Sequence, residues 1–483
     1  MNTKLLKQKI LDLARRGKLT EQRKSDGTAR ELLERILDEK RKADEPSKAT
    51  KQSKDTKSKT PERIVPLDKN DAPFEIPENW EWVRLGDVAY IASGSTPSKD
   101  SFVESGVPYL KMYNLRNQKI DFDFKPQYIK REIHEGKLAR SMAKPGDVIM
   151  NIVGPPLGKV ALIPDSLPEC NFNQAAVMIR THYCANLMNQ YIRYFLLQMD
   201  EINAINTKGT AGQENISLTQ TQNMRLPLPP LAEQRRIVAK IEEAFAEIDA
   251  IEKKKESLKR HIAQARQKIL DLAIHGKLVP QNKADGTALD LLKNITHDKP
   301  HYGKMGDVPF EIPASWAWVK LGEVCAYGEC ENTDVKSIPE TAWILELEDI
   351  EKDSGKIIRF LTKSERNING VRHSFKKGDV LYSKLRTYLN KVLVAPNDGF
   401  CTTEIIPIKV GVLSSKYVCY VLRSQYFMDY TALCGYGVKM PRLSTADARK
   451  GLFPLPPLAE QKRIVEKIEN VFASLDEISL HLV

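Results

Sequence analysis

The chain repeats itself out of phase, and that constrains its fold more than any local pattern does. Leu226 to Gln234 reads LPLPPLAEQ and Phe453 to Gln461 reads FPLPPLAEQ, at an offset of 227 residues. Leu6 to Leu19 (LKQKILDLARRGKL) matches Ala265 to Leu278 (ARQKILDLAIHGKL) at an offset of 259. The repeat is therefore circularly permuted: the chain starts late in a motif whose beginning it reaches only at its C-terminal end. Val483 corresponds to position 256 and Met1 to position 260. The termini are thus expected nearly side by side, midway along one element, with two related halves closing into a ring about a pseudo-twofold axis.

The helical elements follow from periodicity. Between Leu231 and His275, Ile237, Ala244, Ile251, Leu258, Ala265 and Leu272 recur every seven residues, and Ile241, Ile248, Lys255, Ile262 and Ile269 form a companion row four residues later. Such a seam predicts one helix of about 45 residues, a rod of roughly 67 Å at 1.5 Å per residue. Pro229 and Pro230 open it, and Gly276 followed by Pro280 ends it. Its apolar stripe needs a partner. Ile464, Val471 and Ile478, with Ile468, Leu475 and Leu482, continue into Leu6, Ile10 and Leu13 in the same two rows. A second rod built from the two chain ends, antiparallel to the first, is expected, with Lys255 marking a loosened middle.

Two related globular segments lie between the rods. PFEIPENWEWVRLGDV (Pro73 to Val88) matches PFEIPASWAWVKLGEV (Pro309 to Val324), and KPGDVI (Lys144 to Ile149) matches the KKGDVL run that holds Lys377. Alternation at Trp80 and Trp82 and the short VIMNIV and VLYSKL runs predict strands, while Leu187 to Met199 and Ser415 to Tyr426 read as amphipathic helices. The fold class is α+β: two similar domains of mixed α/β structure separated by two long antiparallel helices. Trp80, Trp82, Trp316 and Trp318 could stack on bases, but matched scaffold positions favour core. The resulting division is 1–39 (N-terminal half of the distal helical region), 40–72 (basic linker), 73–228 (first domain), 229–292 (central helical region), 293–308 (linker), 309–455 (second domain) and 456–483 (C-terminal half of the distal helix).

Composition bounds the function. The net charge of +11 points toward a polyanion, although part of the excess sits in Lys40 to Lys59, a Lys/Ser/Thr/Asp tract that reads as a disordered spacer. No run of about 18 apolar residues exists and the N-terminus lacks a signal-peptide core, so a cytoplasmic protein without membrane contact is expected. The seven cysteines are odd in number and scattered, which favours reduced thiols. Cys325 and Cys330 lack a second ligand pair at zinc spacing.

The frame repeats while the middle does not. YLKMYNLRNQKIDFDF (109–124) stands against ILELEDIEKDSGKIIRF (344–360), and NIVGPPLGK (151–159) against SKLRTYLNK (383–391). One scaffold with two loop sets suits a two-part target, and base edges are read by Arg, Lys, Asn and Gln. The candidates in the first domain are Lys111, Asn114, Arg116, Asn117, Gln213 and Asn215. Those in the second are Lys384, Arg386, Tyr388, Asn390, Lys439 and Arg442.

At this point the motifs resemble a known family. PLPPLAEQ(R/K)RIV opening a long helix, ILDLA…GKL closing it, the DGTA/LL tail, and two unlike domains framed by W-x-W-V-(R/K)-L-G and K-x-GDV are similar to the specificity subunit of Type I restriction-modification systems. The resemblance covers essentially the whole chain. It implies two target-recognition domains, each reading one half of a split DNA sequence, with the helices acting as a ruler for the unread spacer. It further implies assembly with two modification (adenine methyltransferase) subunits, and through them with restriction subunits. No catalytic residues, cofactor or metal are implied. In agreement, the chain holds no N/D-P-P-Y/F/W tetrapeptide, no glycine-rich methyl-donor loop and no GxxxxGK[ST] phosphate loop. A stand-alone methyltransferase or nuclease with duplicated domains is the competing reading.

Overall fold

The repeated tryptophan motif and the repeated proline-rich motif are the two strands of one short ladder. Glu81–Arg84 pairs antiparallel with Arg225–Leu228, placing Trp82 opposite Pro227. Ala317–Lys320 pairs with Leu452–Leu455 in the same register, placing Trp318 opposite Pro454. The computed structural model describes residues 2–44, 63–68, 72–154, 157–198, 215–295, 308–437 and 439–482. They fall into two units, Met1–Lys253 and Lys254–Val483.

In the first unit the helix Thr3–Arg15 begins at Asn2, whose side chain accepts from the Leu5 amide. Gly17 ends it at a φ of +66°, and a second helix, Ala29–Asp44, follows. The module proper has a four-stranded antiparallel sheet in the order Ala89–Ser93, Ala176–Thr181, Val148–Asn151, Val160–Leu162. The helix Ala185–Leu196 covers it, bringing Met188, Tyr191, Ile192 and Phe195 against Val148, Met150, Val177 and Ile179. A second sheet is built from Asn171–Phe172, Val107–Leu110, Tyr128–Ile129 and Phe102–Val103.

The second unit repeats the first sheet strand for strand: Ala326–Tyr327, Ile405–Lys409, Val380–Ser383, Val392–Val394. Its other sheet has five strands and shares a three-strand centre with its counterpart: Trp343–Leu345 lies parallel to Gly399–Thr402 and antiparallel to Leu361–Thr362, as Val107–Leu110 lies parallel to Asn171–Phe172 and antiparallel to Tyr128–Ile129. The amphipathic stretch from Ser415 is two helices. The first, Ser415–Arg423, stops at Ser424, whose hydroxyl bonds the Phe427 amide and starts Gln425–Cys434. Serine competes with the backbone in this way, so the expected single helix is interrupted.

The long helix is continuous from Leu231 to Ile274, close to the span its seam predicts. Gly276 stops it with a φ of +67°. The seam is not evenly covered. Ile237, Ile241 and Ile248 are buried in the first unit and Ile262 and Leu270 in the second, but Ile251 is 45% and Leu258 39% exposed. The apolar period continues there beside Lys253, Lys254 and Lys255, so the pattern reports helix without reporting contact. In the N-terminal helix the most buried apolar residues are Leu11 and Ala14, while Leu6 is exposed and Ile10 is half-buried. This helix runs antiparallel to the long one within its unit: Lys7 pairs with Asp249 and lies over the Phe245 ring. Within the second unit, Arg266 pairs with Asp476 at 2.7 Å and stacks on Phe472 of the helix Leu458–Leu480. Of the basic tract, Lys40 to Asp44 continue a helix, and residues 45–59 lie outside those described.

Each unit is locked by the same joint. The Glu233 carboxylate, fully buried, accepts from Trp80 Nε1 at 2.7 Å, Gln22 Nε2 at 2.5 Å and Thr20 Oγ1 at 3.2 Å. Glu460 accepts from Trp316 Nε1 at 2.9 Å and Gln281 Nε2 at 2.5 Å. The arginine three residues along, Arg236 or Arg463, grips the aspartate of DGTA, Asp26 or Asp285. Gly17 and Gly276 must be glycine: an added Cβ would meet the Pro77 or Pro313 ring at 2.3 Å. All four motif tryptophans are thus structural, Trp318 half-buried and the others buried.

Burial raises the carboxyls of Glu233 and Glu460 above the usual 4.5, against the lowering effect of their donors. A carboxyl with a raised folded-state pKa contributes most below 4.5, and that contribution is lost as pH rises through the folded-state value. Trp80→Phe removes a donor from this buried acceptor and should cost about 1–3 kcal/mol. The penalty should grow from acid to neutral pH, because the missing donor served the ionised form best. Thermal melting at both pH values measures it; an equal penalty would show that the carboxylate is not the partner that matters.

Candidate nucleic-acid interface

The loops that distinguish the modules leave the shared sheet at matched points. After Val148–Asn151, Ile152 donates to Ala175 O at 2.8 Å and its own carbonyl accepts from Ile216 N at 2.9 Å. After Val380–Ser383, Lys384 donates to Glu404 O at 3.0 Å and its carbonyl accepts from Leu443 N at 2.9 Å. Val153 then bridges to Asn215, and Leu385 to Arg442. Just beyond, Ser217 and Ser444 cap short helices through their hydroxyls, bonding Gln220 N at 3.1 Å and Asp447 N at 3.0 Å. Three segments therefore meet at the same place in each module, and each contributes residues from the unlike part of the sequence.

In the second module this meeting point gathers most of the expected residues. Arg386 has a left-handed φ of +53° and Asn390 one of +48°, bracketing a single helical turn, Thr387–Leu389. Such backbone is costly for residues other than glycine and persists where neighbours over-determine it; here Arg386 N donates to Pro441 O at 2.7 Å. Arg386 and Tyr388 are exposed, as is Lys439, while Lys384 is half-buried. Arg442 forms a two-pronged pair with Glu404, Nε to Oε2 at 3.3 Å and Nη2 to Oε1 at 3.1 Å. Tyr436, 57% exposed, bridges to Arg442. Sequence reasoning missed both Tyr436 and Glu404. The tyrosine stands out only as an aromatic between glycines, and the glutamate is indistinguishable from any strand-edge acid until the fold brings it to Arg442.

Asn390 is a correction. It is 2% exposed and its Nδ2 donates to Arg423 O at 3.1 Å, so it shapes the loop from within and presents nothing to a ligand. Asn114 is another correction: at 1% exposure its Oδ1 accepts from Lys111 N and its Nδ2 donates to Asp121 O and Phe124 O at 3.0 and 2.9 Å. Every hydrogen-bonding group of that amide is spent on closing the 111–124 excursion.

The rest of that excursion is a presentation device. Leu115–Arg116 and Lys119–Ile120 form a two-residue hairpin whose central residues, Asn117 and Gln118, have φ values of +50° and +57°, the backbone of a type I′ turn. Asn117 sits there partly because asparagine tolerates that conformation. Gln118 Oε1 accepts from Val160 N at 2.8 Å, docking the hairpin beside the end of the 152–159 loop. Arg116 is exposed, stacked 4.0 Å above the Phe124 ring, with Asp121 at 3.8 Å. Lys111 is half-buried with its ammonium over Phe102. Asn215 is exposed, and Gln213 lies outside the described residues.

The corresponding excursion of the second module has the same closing bond, Glu346 N to Asp349 Oδ2 at 2.9 Å, in place of Lys111 N to Asn114 Oδ1. Its chemistry is opposite. Asp349 is fully buried and paired with Arg359 at 3.2 Å and with Arg366, and Glu346 with Arg372 at 3.0 Å. The arginines of this excursion pair with its acids, and unlike residues 384–390 and 436–442 it sets exposed cations beside exposed acids. Among the described residues, no group of three or more His, Cys, Asp or Glu side chains could hold a metal, and no helix is long and apolar enough to cross a membrane.

The loop assignments separate in a simple assay. Asn114→Ala should lower stability by about 1–3 kcal/mol, the cost of orphaning buried partners. Arg116→Ala should change stability by less than about 1 kcal/mol, as expected for an exposed pair, and should weaken DNA binding. Melting curves and binding isotherms on both variants test this; an Arg116 variant that binds DNA like the wild type would place the hairpin outside the interface.

Comparison with known proteins adds an independent line. A family model described as the Type I restriction modification DNA specificity domain matches residues 77–260 and again 313–481. The chain is 24% identical to the Type I restriction enzyme EcoEI specificity subunit of Escherichia coli, across 99% of this chain and 90% of that protein. It is 24% identical to the EcoAI specificity subunit of the same organism, across 98% and 90%. A solved structure concerned with complex assembly and conformational transition of the type I R-M system contains a chain of like fold: TM-score 0.54, 21% identity, 85% of this chain and 94% of that one covered.

Proposed function

This chain belongs to the Type I restriction-modification specificity family, whose DNA specificity domain it carries twice, and we propose that each copy reads one half of a bipartite DNA site. The protein is the specificity subunit of such a system; its relatives are named as specificity subunits, which gives a stand-alone duplicated enzyme no support. One observation carries the finer reading. The frame closes twice with the same register, and around it two loop sets differ in sequence, charge and hydrogen-bond donors. A protein that read one symmetric target would have no reason to keep the frame and change the loops.

The division of labour follows from rigidity. Residues 73–228 and 309–455 act as the two target-recognition domains, and the helices between them act as the spacer. An uninterrupted helix of 44 residues is about 66 Å long at 1.5 Å per residue, long enough to hold two reading heads one helical turn of DNA apart, roughly 34–36 Å. The chain itself carries no catalysis; modification subunits dock on the helices and methylate the site that the modules select, and restriction subunits join through the assembled complex.

Exchanging residues 73–225 for those of another family member tests the modular reading. The hybrid, assembled with its modification subunits, should methylate a sequence changed in one half only, with the other half and the spacer retained. Methylation mapping of host DNA gives the answer, and a change in both halves would defeat the proposal.

A further inference from the structure

Asn215 and Arg442 occupy the same backbone position in the two modules. Each forms the isolated bridge to the second residue after the shared strand, Val153 or Leu385, and each precedes the residue whose amide bonds Ile152 O or Lys384 O. Each also stands two residues before the capping serine, Ser217 or Ser444. Across from this position, the residue whose carbonyl receives the Ile152 or Lys384 amide is Ala175 in one module and Glu404 in the other. The pair of positions thus reads Asn with Ala, then Arg with Glu.

We propose that this is a common base-reading position, filled by an asparagine suited to adenine in the first module and an arginine suited to guanine in the second, with Glu404 as the positioning residue for Arg442. The inference rests on the function proposed above. Chemistry supports the pairing. Asparagine offers one acceptor and one donor side by side, the complement of adenine N7 and N6, and arginine offers two donors, the complement of guanine O6 and N7. An asparagine side chain is short and needs no support, whereas the longer arginine has more torsions to restrain. Glu404 supplies that restraint by taking Nε and Nη2, which leaves the far edge of the guanidinium, Nη1 with the outer N–H of Nη2, as a planar two-donor fork. The two side chains remain 35% and 25% exposed, and a pair this open adds little to folding. Its use is therefore presentation. Among the described residues that meet at this point, Glu404 is the acid amid Lys384, Arg386, Lys439 and Arg442, where an unassigned carboxylate would oppose a phosphate backbone.

The test uses the full chain in its complex with the modification subunits, and measures binding to a library varied at every position of both half-sites. Arg442→Ala should reduce preference for guanine at one position of the second module's half-site by about ten- to a hundredfold, the range of one bidentate base contact. Arg442→Lys, which keeps charge but loses the fork, should do nearly the same. Glu404→Gln should relax the same position to a lesser degree, and the double variant should be no worse than Arg442→Ala alone. Arg442→Asn with Glu404→Ala, copying the first module, should move the preference from guanine toward adenine. Melting curves confirm that each variant is folded. If Glu404→Gln relaxes a different position, the carboxylate reads a base itself and the positioning role is wrong. If Arg442→Ala weakens all sequences equally, the residue meets a phosphate and the base-reading role is wrong. A wild-type complex that discriminates no sequence would instead overturn the proposed function, leaving these two outcomes distinct from it.

Discussion

A buried carboxylate holds each half of this protein together. Glu233, and in the other unit Glu460, sits where the long or C-terminal helix begins, where the module's entry tryptophan is inserted and where the polar turn before DGTA returns. An acid in such a place is costly, and burial raises its pKa; indole and amide donors, with an arginine one turn on, offset the cost. Removing any of them leaves a buried charge short of a partner. The joint therefore tolerates little change, and it accounts for several of the residues the two halves have in common: the first Trp of the tryptophan motif, the Glu of LAEQ, the Arg three residues on, the Gly of GKL, the Gln before DGTA and its Asp.

Because the joint and the short ladder fix the base of each module, the far side is free to vary. Two solutions to one loop problem can be compared. The excursion after the second strand of the distal sheet closes on an amide, Asn114, in the first module and on a carboxylate, Asp349, in the second. The amide is satisfied by two carbonyls; the carboxylate requires cations, and the buried Arg366 and the exposed Arg359 supply them. One substitution in kind thus commits Arg366 to the interior, where its counterpart loop spends only backbone carbonyls.

The sequence was most legible where repetition or periodicity carried the signal. The long helix, the paired modules and the structural role of the tryptophans all emerge from it, since each depends on residues that recur at matched positions. The loop residues were less readable. Asn114 and Asn390 have the composition of base-reading residues and are instead internal braces, a distinction that depends on which carbonyls lie within reach. Ile251 and Leu258 keep the heptad yet are open to solvent, because a seven-residue period specifies a helix face and says nothing of whether a neighbour lies against it.

The sequence alone determined the duplicated architecture, its permutation and the family, because these are properties of order along the chain. Only the tertiary structure decided which variable side chains face outward, which acids are paired, and that Asn215 and Arg442, together with Ala175 and Glu404, are counterparts. Those relations are set by strand register and backbone hydrogen bonds between segments far apart in sequence, and the offsets between the two copies shift from one segment to the next, so no single alignment step reveals them.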